Sequence, residues 1–154
     1  MVYAAHGLGR IVAVERRRAG TAGEADVVVV ELSEGLTVSL PRKLAEVQLR
    51  APMTPEELQH VRNVLEEEPV ANDKTWLSRR NDAIGKLTSG NAVELAEVVR
   101  DGAARARARS TGGSNVSERD VFLKARRLLS NEVSHVLGVS QVEADAWIDE
   151  QLGQ

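Results

Sequence analysis

The sequence predicts an α+β chain: a small curled sheet or barrel over residues 1–50, then an all-α bundle of about five helices over residues 51–154. Three observations lead there. Short β-branched runs alternate with glycine-rich turns up to Pro41. From Thr54 the apolar spacing changes from period two to a helical period. Helix-start signals then recur as far as Ser140 and Glu143. Hydrophobic content of 42% and charged content of 28% are ordinary for a globular chain, and 154 residues suffice for one or two small domains.

Three strands are predicted first. Ile11–Val14 is a short apolar run flanked on its N-terminal side by Gly7 and Gly9, and Ala25–Leu32 is rich in valine. Leu36–Leu40 alternates with period two and stops at Pro41, which supplies no N–H to a ladder. Gly20 and Gly23 mark one turn, and Ser33-Glu34-Gly35 a tight hairpin connection. A unit this small is marginal by itself and is expected to lean on the second half or on a partner.

Five helices follow. Thr54-Pro55-Glu56-Glu57 places a cap, a proline at the first helical position and a glutamate at the third, before the stripe Leu58, Val61 and Leu65. The second helix begins near Asp73 or Thr75 and runs to Thr88, with Trp76, Ala83, Ile84 and Leu87 as its stripe and Gly90 as its stop. The third starts at Asn91 and carries Leu95, Val98 and Val99. The fourth starts at Ser117 and carries Val121, Ala125, Leu128, Val133 and Val136. The fifth opens with Ser140 and Glu143 and carries Ala144, Trp147, Ile148 and Leu152. Ser110–Asn115 reads as a flexible loop from its composition.

Composition excludes several classes. With no cysteine there are no disulfides, thiolate metal sites or cysteine nucleophiles, which fits a cytoplasmic protein. No apolar run approaches the length of a membrane span, and no basic segment followed by an apolar stretch marks a signal peptide. His6, His60 and His135 lie in three different elements without metal-ligand spacing. Gly7-x-Gly9 precedes a strand rather than a helix, so it fails the condition for a dinucleotide loop. Glu66-Glu67-Glu68 reads as a solvated helix end. An enzyme is not expected, nor is a cofactor or a metal.

The net charge of −3 argues against a dedicated nucleic-acid binder. Its distribution is uneven: residues 51–72 carry five acids and one base, residues 73–110 eight bases and five acids, and residues 117–154 are acidic again. Trp76 lies in the basic zone, followed by Arg79 and Arg80, in a chain with two Trp, one Tyr and one Phe. Two readings stand. The ring packs in the core and the arginines are solvated, or the ring meets a base while the guanidiniums hold phosphates. Arg105, Arg107 and Arg109 point about 200° apart in succession around a helix, so they end a solvated helix or form a phosphate-contacting tail. Arg16-Arg17-Arg18 blunts a strand edge or faces a partner.

Taken in order, several segments resemble the CarD/CdnL family of RNA-polymerase-binding transcription regulators. Val2-Tyr-Ala-Ala-His-Gly-Leu-Gly9 resembles the opening of that family's polymerase-interacting domain, and Leu36-Thr-Val-Ser-Leu-Pro41 its last strand. Thr75-Trp76 with Arg79, Lys86-Leu87 and Ser89-Gly90 resembles its central helical segment. Leu95–Asp101 and Lys124–Leu129 resemble the helices that follow. The resemblance implies a Tudor-like or SH3-like barrel that binds the β subunit of bacterial RNA polymerase. It also implies a helical domain that touches promoter DNA in the minor groove, near the upstream edge of the opening bubble, with Trp76 as a wedge.

By the same resemblance, Arg79 matches a basic position just after the ring and Arg17 an arginine placed against the polymerase; Arg80, Lys86 and Lys124 are further candidates for DNA contact, and Ser39 and Pro41 for polymerase contact. The implied protein is a monomer with no membrane association, cytoplasmic and held at the nucleoid through RNA polymerase. The chain departs from the family at Ser78, where relatives carry arginine, at Arg80, where they carry tyrosine, and at Ser39, where some carry arginine. It begins almost at Val-Tyr, without the short strand that usually precedes it, and its loop at 110–115 is longer than usual. These departures keep a second reading open, a polymerase- or protein-interaction module without functional DNA contact.

Overall fold

The computed structural model describes residues 1–3, 6–18, 23–69, 75–108 and 116–153. The chain divides into two compact units, Met1–Pro52 and Met53–Gln154.

The first unit is an antiparallel sheet of β1 (Val2–Tyr3), β2 (Gly7–Arg18), β3 (Glu24–Leu32), β4 (Thr37–Pro41) and β5 (Leu49–Arg50), in the order β4-β3-β2-β1-β5, with α1 (Arg42–Gln48) between β4 and β5. The hairpin read at Ser33–Gly35 is present: the Leu32 N–H donates to the Leu36 carbonyl and the Gly35 N–H to that of Leu32. Register shows how one sheet serves two faces. Val28, Val30 and Leu32 alternate with Val27, Val29 and Glu31, and pair with residues of matching parity on β4. Val28, Val30, Leu32, Leu40 and Ala45 make the buried core, with Tyr3, Val38 and Leu49 against it.

One short strand, β5, and a helix, α1, went unread in the sequence, and β1 entered only through the resemblance at Val2–Gly9. β1 and β5 are two residues each and pair with one another, Val2 opposite Arg50 and Tyr3 opposite Leu49. A two-residue strand has no period to detect. α1 buries only Ala45 and leaves Leu44 and Val47 exposed, so it shows no apolar stripe. The turn around Gly20 lies outside the described residues.

The second unit is α2 (Pro55–Glu66), α3 (Trp76–Ser89), α4 (Ala92–Ala108), α5 (Val116–Leu137) and α6 (Gln141–Gln151). Its starts are the capped ones. Thr54 and Glu57 exchange both hydrogen bonds of a capping box, as do Ser140 and Glu143. The Asn91 side chain accepts from the N–H groups of Val93 and Glu94. Thr75 accepts from Ser78, which fixes the start of α3, and Gly90 ends that helix at φ 70°, where a side chain would be strained. The loop read at 110–115 lies outside the described residues. α4 packs against α2, α3 and α5, and α5 against α6. Val61, Val99, Leu129, Val133 and Ile148 fill the fully buried centre.

Candidate nucleic-acid and partner interfaces

In the helical unit, Trp76 opens α3 and stays 47% exposed. It is not among the core residues; Trp147 is the tryptophan that packs against the core. The stripe reading of α3 therefore holds for Leu87 and Ala83, while Trp76 and Ile84 are not part of the core cluster. Trp76 occupies the first helical position, directly after the cap Thr75. Leu77 beside it is also half exposed.

The arginines after the ring turn toward α5. Arg79 Nε donates to Glu118 Oε1 at 3.3 Å, with the two side chains only 15% and 10% exposed. Arg80 Nε donates to the Ser117 hydroxyl. Arg105 of α4 reaches the same Glu118 oxygen at 3.0 Å. One carboxylate in the first turn of α5 thus joins α3 and α4. Lys86 pairs with Glu97 at 2.7 Å, Lys124 is exposed on α5, and Arg107 is exposed near the end of α4. Arg109 lies outside the described residues.

Glu118 and Ser117 were missed as partners because the pairings span 39 and 37 residues. Sequence marks an acid near a helix start as a dipole contact and carries no signal for a distant guanidinium. The other acidic run is engaged too: Glu66 pairs with Arg62, and Glu67 with Arg100. Among the described residues, no three His, Asp or Glu side chains gather as metal ligands, and no helix is long and apolar enough to cross a membrane.

In the sheet unit, register brings the three polymerase-facing candidates to one face. Ala13, Val29 and Ser39 are cross-strand neighbours, as are Glu15, Val27 and Pro41, and Arg17 sits opposite Ala25. These residues share the face opposite the core set of Val28, Val30 and Leu40. Arg17 donates to Glu15 Oε2 through Nε at 2.8 Å and through a terminal nitrogen at 2.6 Å, and its other terminal nitrogen lies 3.5 Å from the Ser39 hydroxyl. Arg17, Ser39 and Pro41 are all exposed. The face thus carries Val27 and Val29 together with an arginine, a hydroxyl and a proline.

The geometry meets one comparison. The family model described as CarD, C-terminal domain, matches residues 60–149, more than half of the chain and most of the helical unit.

Proposed function

The chain belongs to the CarD family of transcription regulators, and from that premise we propose that it binds the β subunit of bacterial RNA polymerase through its sheet unit and stabilises the promoter open complex through its helical unit. The observation that carries the reading is Trp76, the half-exposed ring at the start of α3. A stacked ring contributes about 1–3 kcal/mol per base, comparable with the few kcal/mol that unstacking a step costs. Trp76 enters the minor groove at the upstream edge of the bubble, and the exposed Lys124 meets a phosphate. Arg79, Arg80 and Lys86 join only by sharing or exchanging their contacts with Glu118, Ser117 and Glu97. Arg17, Ser39 and Pro41 supply the polymerase contact.

The reading is tested by open-complex lifetime on one promoter. Trp76→Ala is expected to shorten the lifetime about tenfold, within the range of one lost stack, while polymerase binding stays intact. Equal lifetimes would sink the wedge. A second reading, an interaction module without functional DNA contact, draws support from the inward pairing of Arg79 and Arg80. It requires Trp76→Ala to leave transcription unchanged while substitutions at Arg17 abolish the activity.

A further inference from the structure

We infer that Glu118 is a positioning residue for Trp76, a clamp that fixes the direction in which the ring is presented. The inference rests on the wedge reading above and adds a residue to it.

Three observations lead to it. First, the beginning of α3 has little apolar anchorage. Leu87, at the opposite end, is the buried residue of this helix, and Trp76 and Leu77 are both about half exposed. Second, polar ties replace that anchorage. Arg79 and Arg80 follow Trp76 by three and four residues, so they lie on the same side of the helix. Both are held by the first turn of α5, at Glu118 and Ser117. Third, Glu118 is itself fixed. It is nearly buried, and Arg105 approaches its Oε1 from α4 at 3.0 Å. A carboxylate so placed is costly without cationic partners, and two guanidiniums from two helices meet that need.

The consequence is geometric. A ring on a frayed turn samples many directions and loses entropy on stacking. A ring on a turn pinned by two arginines has lost that entropy in advance. Arg79 and Arg80 then serve DNA by holding the ring as well as through their charge.

Two measurements test the clamp. In a Trp147→Phe background Trp76 is the sole tryptophan, and its time-resolved fluorescence anisotropy reports local motion. Glu118→Gln is expected to add a fast component, and an unchanged decay overturns the inference whatever the ring does. Open-complex lifetimes of wild type, Glu118→Gln, Trp76→Ala and the double variant supply the second readout. Glu118→Gln is expected to shorten the lifetime about fivefold alone and to have no further effect with Trp76→Ala, the signature of coupled residues. Where Trp76→Ala itself shortens the lifetime, a full additional loss in the double variant, or no loss in Glu118→Gln alone, overturns the inference. If Glu118→Gln does not fold, Arg79→Gln takes its place with the same expected outcomes. Should anisotropy respond while Trp76→Ala leaves lifetimes intact, the wedge reading fails and the clamp stands.

Discussion

Trp76 shows why a periodic pattern cannot by itself decide a ring's role. Its spacing to Ala83, Ile84 and Leu87 fits a helix stripe, yet it occupies the first helical position and stays about half exposed. The two readings of Trp76 could be written from the sequence, but choosing between them required its exposure. Arg100 shows the opposite case. It reads as one base in a basic zone, yet its side chain is 6% exposed and pairs with Asp101 at 2.9 Å and Glu67 at 3.1 Å. Burial pulls its proton affinity down, but the hydrogen bond and charge of Asp101, with Glu67 and Glu97, outweigh this and hold it above its ordinary value. It therefore stays charged and ties α4 to the end of α2. Arg100→Ala is expected to cost about 2 kcal/mol in denaturant unfolding, through lost charged hydrogen bonds and lost packing of the stem. Arg100→Met, which keeps the apolar stem and leaves behind only acids that can rehydrate, is expected to cost less. An equal loss for both would place the whole effect in the charge.

Caps were the most legible part of the helices because they are local chemistry: a hydroxyl or amide meets an N–H two or three residues on. Thr54, Asn91 and Ser140 could be read in advance, and Thr75 as one of two candidate starts with Asp73. The capping box at α6 has a pH consequence. The Ser140 backbone N–H, and next its hydroxyl contact, hold the Glu143 carboxyl below its ordinary value. Because the folded-state value is depressed, the stabilisation is present above the unfolded carboxylate value and is lost as pH falls through the folded one. Thermal melts should show wild type above Glu143→Gln near neutral pH and the difference closing on acidification; a difference independent of pH would contradict the charged box. Helix contacts were less legible. A Cβ built on Gly102 of α4 would lie 2.4 Å from the Phe122 ring of α5, so this glycine permits the close approach of the two helices. Gly102→Ala is expected to destabilise by about 1–3 kcal/mol through overpacking. Adding Phe122→Leu should recover part of the loss, as measured by chemical denaturation. Nothing in the local sequence reveals such a pair, since Gly102 and Phe122 belong to different helices.

A net charge of −3 argues against free-standing DNA binding. Two or three phosphate contacts give weak affinity with a salt slope of roughly −2 to −3, against the six to ten contacts of a dedicated binder. Held on polymerase, the same contacts work at an effective DNA concentration of about millimolar. A ring that favours the opened fork then shifts the opening equilibrium by its preference for that state and no more. On the proposed reading, the sheet unit with Arg17, Ser39 and Pro41 supplies the tether and the helical unit with Trp76 supplies the ring. Stabilisation of the open complex should therefore vanish on polymerase whose β subunit cannot bind the sheet unit. The same helical unit should show little retention on duplex DNA alone at physiological salt. The most direct measurement is photocrosslinking from a photoreactive phenylalanine analogue at position 76 in the assembled polymerase–promoter complex. The account predicts a crosslink to DNA at the upstream fork that depends on polymerase and on the opened state. Crosslinks to protein alone, or equally to closed duplex, would contradict it.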